Sequence, residues 1–334
     1  MNAHSYKIKE GGISLKLEMS DTTLKQQKRK VSMRRNLQKS FKRHWQFYLL
    51  IIPPVLYFII FKYIPMLNSV IAFKDYNVVA GIWGSEWAGL KYFKLFFDNP
   101  NFWPLVKNTL ILSLYTLAVG FPIPILLALM LNEIRQGVFK RSVQMVTYAP
   151  YFISTVVIVS MLTLILSPRL GIVNDLLGIF GVDSINFLGE QSMFRSVYVW
   201  SDVWQHTGYN AIIYIAALAG VNPELYEAAK VDGASRLQKI IHIDLPSIMP
   251  VMVIILILNV GNVMAIGFEK VYLLQNPLNL ATSEIIATYV YKVGLLNANF
   301  SFATAVGLFN SVINLILLVS VNAFARRISN NSLW

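Results

Sequence analysis

The 334-residue chain contains no cysteine, which excludes a disulfide framework, a thiolate metal site and a cysteine nucleophile. It holds only four histidines, His4, His44, His206 and His242, and their spacing forms no metal-binding helix pattern. Charge is scarce too, with Asp, Glu, Lys and Arg at 14%. Neither a GxSxG elbow nor a GxGxxG turn is present. Gly84 to Lys91 (GSEWAGLK) imitates the glycine spacing of a phosphate loop but has Leu90 where the lysine must stand, so it is rejected as a nucleotide site. The expectation is a chain that is not an enzyme and binds no metal or cofactor of its own.

Apolar residues are what it has, at 55%, in runs too long for a soluble core. A span needs about 20 mostly apolar residues. Six stretches qualify: Trp45 to Met66, Leu105 to Leu131, Val143 to Leu166, Val197 to Gly220, Pro246 to Phe268 and Ala303 to Phe324. All are expected to be helical, because a strand edge in lipid leaves backbone groups unpaired. The predicted fold class is therefore an all-α polytopic membrane protein. It comprises a basic tail (1–44), a six-helix membrane domain (45–327) containing the connecting loop 221–246, and a short C-terminal segment (328–334). The first apolar run lies behind a polar segment without a small-residue cleavage site, so it is expected to be an anchor rather than a removable signal peptide. Pro53 and Pro54 in the first span, and Pro122 and Pro124 in the second, are expected to kink their helices.

Orientation follows from the cations. With the N-terminus inside, 20 of the 29 Lys and Arg fall on the inner face, and the outer nine are balanced by nine Asp and Glu. That asymmetry predicts a multi-pass membrane protein with both termini and the 221–246 loop in the cytoplasm. The net charge of +12 then needs no nucleic acid to explain it. The run Lys25 to Arg43 (KQQKRKVSMRRNLQKSFKR) reads as lying on anionic headgroups, a nucleic-acid patch being the alternative.

Between Asn68 and Pro104 stand ten aromatics, Phe73, Tyr76, Trp83, Trp87, Tyr92, Phe93, Phe96, Phe97, Phe102 and Trp103. They suit an interfacial belt or a docking rim for an external partner. The outer segments Pro168 to Ser196 and Glu269 to Phe302 are long enough to extend that rim.

The most informative stretch is Tyr226 to Pro246, YEAAKVDGASRLQKIIHIDLP. Asn222 is a good N-cap, Pro223 suits the first helical position, and Glu224 and Glu227 place negative charge near the positive helix end. Ala228 and Ala229 let another surface approach the backbone, and Gly233 permits a turn that a β-carbon resists. A second short helix, about Ser235 to His242, leads into the next span. By residue physics alone the favoured reading is an amphipathic connector lying on the inner leaflet.

The full spacing goes further. Glu227, Ala228 and Ala229, then Gly233, then Ile243, Leu245 and Pro246 resemble, without a departure, the EAA loop of permease subunits of binding-protein-dependent ABC importers. AFKDYN with WAGLKYF, FEKVYLLQNP, and TYVYKVGL followed by FATAVGLFNSVINLIL look more narrowly like the LplB-type permeases of the carbohydrate-uptake group. The resemblance covers about Trp45 to Arg327. It implies the MetI-like type I importer fold and a subunit paired with a second permease. It further implies two ATP-binding subunits that hold ATP and Mg, and sugar received from an extracellular solute-binding protein. By the same resemblance, helix Pro223 to Val231 sits in a groove on the ATPase, with Glu227 making the polar contact and Gly233 setting the bend.

Polar residues within spans are costly in lipid and tend to face protein or water. On one face of the fourth span lie Asp202, Gln205 and Tyr209, with Asn210 beside them; Asn259 and Asn262 share a face of the fifth, and Asn310 and Asn314 one of the sixth. With Trp204 or Tyr209 as a flat surface for sugar CH faces, the group is a candidate substrate path. Interhelical hydrogen bonding is the competing role for each. An ABC permease for a non-sugar solute carries the same loop, and an ion-coupled carrier is a further alternative, although such carriers place ionisable groups in mid-span.

Overall fold

The computed structural model describes residues 43–329; the tail before Arg43, with most of the Lys25 to Arg43 run, and the last five residues lie outside them. The chain divides into two units, Met1–Asn68 and Ser69–Trp334. Most of the described residues are helical, with one two-stranded ribbon. Among them, four helices are long and apolar enough to cross a membrane: α1 (Arg43–Phe73), the pair α3 (Phe102–Gly120) and α4 (Pro122–Glu133) in sequence, α10 (Arg236–Gly261) and α14 (Phe300–Ser329). A bent pair, α5 (Val138–Tyr148) and α6 (Thr155–Ile165), makes a fifth if counted as one crossing. Helix α8 (Phe194–Ala219) has 26 residues, about 39 Å at 1.5 Å per residue, but Arg195, Asp202, Gln205, His206 and Asn210 dilute its apolar surface.

Prolines act where the hydrogen-bond ladder shows it. Helical bonding runs through Pro53 and Pro54 and changes instead at the wide π turn Ile59–Tyr63, where the N–H of Ile64 reaches back five residues to the carbonyl of Ile59. A second π turn, Ile240–Asp244, is built the same way, Leu245 donating to Ile240. Each ends two residues before a proline, Pro65 or Pro246. A proline has no N–H and its ring crowds the carbonyl four residues back, so widening the preceding turn relieves the clash. Pro122 opens α4 after Phe121, which keeps helical dihedrals.

The third expected span is not straight. Helices α5 and α6 meet at 101° across Pro150 and Ser154, and the Ser154 hydroxyl caps α6 by accepting from the Val157 N–H. Pro150 cannot donate within a helix, and a serine cap restarts one. Gln205 of α8 meets the break, its Nε2 donating to the Ile153 carbonyl at 3.2 Å. Here α8 crosses α5 backbone to backbone: a β-carbon at Gly208 would stand 2.0 Å from the Thr147 carbonyl oxygen.

The segment after α10 is not an extended loop but packs into the core. Helix α11 (Phe268–Leu274), the short α12 (Leu280–Ser283) and α13 (Ile286–Tyr291) fold inward. Val271, Leu274 and Ile285 join Leu112, Phe194, Tyr198 and Val199 in one core cluster. Ile286 joins Phe96, Phe102, Leu105, Met264, Phe302 and Val306 in a second. A third surrounds Ile125, Ala128, Ala211, Tyr214 and Ile248, between α4, α8 and α10. The re-entry is stitched by side-chain amides: Asn276 and Asn279 donate to the Leu188 carbonyl at 2.7 and 2.9 Å. Lys292 of the segment pairs with Glu284 at 2.8 Å.

The aromatic segment after α1 divides in two. Phe96 of α2 (Lys91–Phe97) and Phe102 are buried, whereas Trp83, Trp87 and Trp103 stay exposed. Strand β1 (Lys74–Asp75) pairs antiparallel with β2 (Glu86–Trp87), and the Phe73 and Trp87 rings stack above the ribbon, 5.9 Å apart. Ser301 ties the ribbon to α14, donating to the Lys74 carbonyl at 2.6 Å and accepting from the Tyr76 N–H at 2.9 Å. Lys91 and Tyr92 converge on Asp75 at 2.8 and 2.6 Å.

Candidate functional site

Two places concentrate the chemistry. The first is the 221–246 hairpin. Helix α9 (Pro223–Val231) begins as its residues dictate: the Asn222 side chain accepts from the Glu224 N–H at 3.0 Å, with Pro223 at the first position. It stops at Gly233, whose φ of +74° suits a residue without a β-carbon. Ser235 and Gln238 form a capping box that starts α10. Glu227, Ala228, Gly233 and Pro246 are exposed, and Ala229, Ile243 and Leu245 half-buried. The Glu227 carboxylate, the one polar side chain of the seven, has no hydrogen-bond or ion-pair partner among the described residues, and backbone bonds fix the turn at Gly233. Asp244, which stands between Ile243 and Leu245 but is not specified by the motif, is fully buried. Burial and the Asp244 hydrogen bond push the Tyr226 hydroxyl up to about 12, so it remains a protonated donor.

The second place is a polar cavity of about 220 Å³ between α3, α8 and α10, lined by Ser113, Thr116, Asp202, Asn210, Asn259 and Asn262. A neighbouring cavity of about 300 Å³ shares Asn210 and Asn259 and adds Tyr209 and Tyr214. Joined, they reach the roughly 300–1,000 Å³ of small-molecule sites. The Asn210 and Asn259 amides have no hydrogen-bond partner among the described residues, and the Ser113 hydroxyl is likewise unpartnered. Asp202 is held from the side, by Lys270 of α11 at 3.5 Å and by His206 at 3.3 Å. The Tyr209 ring lies flat on Tyr151, 3.7 Å between centroids and 2° from parallel.

The nine residues read as a substrate path thus separate by role. Asp202, Tyr209, Asn210, Asn259 and Asn262 reach the cavities. Gln205 instead satisfies the α5–α6 break. Asn310 donates to the Met264 carbonyl and Asn314 accepts from the Met264 N–H, each at 3.0 Å, where α10 ends in the turn Val263–Ala265. Trp204 lies half-exposed on the outer side of α8, away from both cavities. Ser113, Thr116 and Tyr151 belong to the site but were not singled out in the sequence; Ser113, Thr116 and Gly120 at helical spacing form a small, hydroxyl-bearing stripe in an apolar span that could have marked them.

Residues 120–330 match the family described as the binding-protein-dependent transport system inner membrane component. Over 310 residues the chain is 45% identical to the polygalacturonan/rhamnogalacturonan transport system permease protein YteP of Bacillus subtilis (strain 168), covering 93% of this chain and 95% of YteP. It is 43% identical to protein LplB of the same organism, over 88% of this chain and 93% of LplB. Among solved structures it resembles a chain of a bacterial ABC transporter involved in the import of the acidic polysaccharide alginate, with a TM-score of 0.81, 39% identity, and 88% of this chain and 99% of that one covered. It resembles to the same degree a chain of a bacterial alginate ABC transporter in complex with an alginate pentasaccharide-bound periplasmic protein. A bundle of apolar helices interrupted by an exposed EAA-spaced hairpin, and these matches along nearly the whole chain, agree: the protein is an ABC transporter permease of the binding-protein-dependent inner membrane component family.

Proposed function

We propose that this chain is the membrane-spanning subunit of an ABC importer that passes a sugar or oligosaccharide across a bacterial cell membrane. The observation that carries the reading is the pairing, in one chain, of an uncovered helix α9 with a cavity whose Asn210 and Asn259 amides stand free beside Tyr209. Free amides match sugar hydroxyls, and a tyrosine ring matches a sugar CH face. Polygalacturonan, rhamnogalacturonan and alginate in the names of the relatives support a saccharide.

In this reading α8 is a further crossing, giving six, and both termini and the 221–246 hairpin face the cytoplasm. A second permease closes the other side of the path, an external solute-binding protein delivers the sugar, and two partner subunits bind ATP and Mg. This chain transmits force and does not hydrolyse. ATP-driven closure of the partners moves α9, and the helices around the cavity tilt so that it opens to one side and then the other. Glu227 makes the polar contact with the ATPase, Ala228 and Ala229 allow close approach, and Gly233 sets the angle of the helix.

The test is purification of the tagged subunit in mild detergent, identification of the co-purifying chains, and a screen of neutral and acidic oligosaccharides against the external one. A lone chain with ATP-independent transport overturns the reading. Glu227→Ala and Gly233→Val should each leave the subunit in the membrane but lower transport; a β-carbon at φ +74° adds about 1–2 kcal/mol of local strain. Full transport by both variants at normal expression would contradict the roles given to them.

A further inference from the structure

Of the nine residues of α9, only Tyr226 and Ala229 are even half-buried. Alanine has no polar group to fix an orientation, so the helix hangs on one side chain. The Tyr226 hydroxyl donates to Oδ1 of Asp244, a fully buried carboxylate. The same oxygen accepts from Nδ2 of Asn132, near the end of α4, at 3.5 Å. Three elements adjacent to the hairpin, α9, the last turn of α4 and the first turns of α10, therefore meet at one carboxylate. Next to it Glu133 closes a second link, 3.6 Å from Lys239 and 3.9 Å from Arg236.

The π turn explains why Asp244 points inward. Ile240–Asp244 contains one residue more than an α turn, and one residue is worth about 100° of rotation. The Leu245–Pro246 pair of the motif thereby aims a residue outside the motif. A buried carboxylate is costly unless its bonds are made, and apolar residues of the same shape commonly hold a packing at lower cost. Its second oxygen, Oδ2, has no partner among the described residues. Packing alone does not account for an acid at this position.

We propose that Tyr226, Asp244 and Asn132 form a latch that locks α9 to the ends of α4 and α10, so that the three elements move as one body when α9 is pulled. Tyr226 and Asp244 are positioning residues for coupling. The inference rests on the importer reading, and it adds the route by which the pull reaches the cavity walls: α10 carries Asn259 and ends at the cap Asn262, and α4 continues the helix line of Ser113 and Thr116.

The test uses the assembled complex and needs no identified sugar. Because the chain has no cysteine, Leu117→Cys, on the cavity wall, gives this subunit a single thiol, whose labelling rate by a small maleimide is followed with and without ATP and vanadate. With the latch intact, ATP should change that rate. Tyr226→Phe should keep ATP hydrolysis while reducing the ATP-dependent change by about five-fold or more, the scale of an ordinary coupling energy. Adding Asp244→Asn to Tyr226→Phe should not restore it, since α9 then has no hydroxyl to bond position 244. Asp244→Leu, which fills the space without the bonds, should behave like Tyr226→Phe. A full response in Tyr226→Phe or in Asp244→Leu overturns the latch while leaving the importer reading intact. A wild-type subunit that recruits no ATP-binding chain overturns both.

Discussion

At the residue scale, the asparagines show how alike two roles look in a sequence. Asn210, Asn259, Asn310 and Asn314 all sit in apolar helices, yet the first two stand free in a cavity and the last two satisfy the Met264 backbone. What separates them is the end of α10 at Asn262, a break that hydropathy does not reveal. The two pairs should therefore fail differently. Asn310→Leu or Asn314→Leu leaves a buried backbone group unpaired and should destabilise the subunit by about 1–3 kcal/mol, read as a lower melting temperature in detergent. Asn210→Ala or Asn259→Ala should leave melting unchanged and raise the KM for the transported sugar. Outside the membrane, the Lys91 ammonium, and then Tyr92, hold the Asp75 carboxyl below its usual range, and Asp75 holds Lys91 above its own. Asp75 then stabilises the ribbon above the ordinary carboxylate range, and this is lost as pH falls through its lowered value. Lys91 contributes below the ordinary lysine range, and this is lost as pH rises through its raised value. Hydrogen exchange over residues 73–92, corrected for intrinsic rates, should be flat across neutral pH and quicken in acid. Lys91→Met should raise exchange at neutral pH and weaken its acid dependence.

At the scale of elements, the hairpin was legible because its signals are local: Asn222 caps, Pro223 starts, Gly233 stops, and each acts within a turn of itself. The break between α5 and α6 was not, because an apolar window averages across Pro150 and Ser154 and returns one continuous span. The packing of segment 268–302 was not legible either. Glu269, Lys270, Glu284 and Lys292 give it the look of an outer loop, but Lys270 is satisfied by Asp202 and Lys292 by Glu284, so the segment can enter the core. The sequence predicts kinks at Pro53, Pro54, Pro122 and Pro124, a reading that does not reach Pro65 and Pro246, which act through the wide turns before them. That makes Pro246→Ala informative. Returning an N–H at position 246 should let Ile240–Asp244 relax to an α turn and swing Asp244 away from Asn132. A cysteine pair at positions 132 and 244 should form a disulfide readily in the parent chain and poorly once Pro246→Ala is added.

At the scale of the whole molecule, the fold class and family were readable from hydropathy and one spaced motif, whereas the walls of the path were not, since they depend on which helix faces meet. The charge asymmetry predicts which side each loop occupies, and a chain free of cysteine allows a clean check. Single cysteines at Ala228 and at Val79, both exposed, should react with a membrane-impermeant maleimide in opposite settings: Val79→Cys in intact cells, Ala228→Cys only after permeabilisation. The reverse pattern would invert the orientation. Within the bundle, the contact at Gly208 sets a mechanical rule. Where α8 meets the Thr147 carbonyl with no side chain between them, the two backbones can roll against each other but have no ratchet of interlocked teeth to step along. That crossing is suited to be a fulcrum: as the walls on either side of it swing, the point itself stays put.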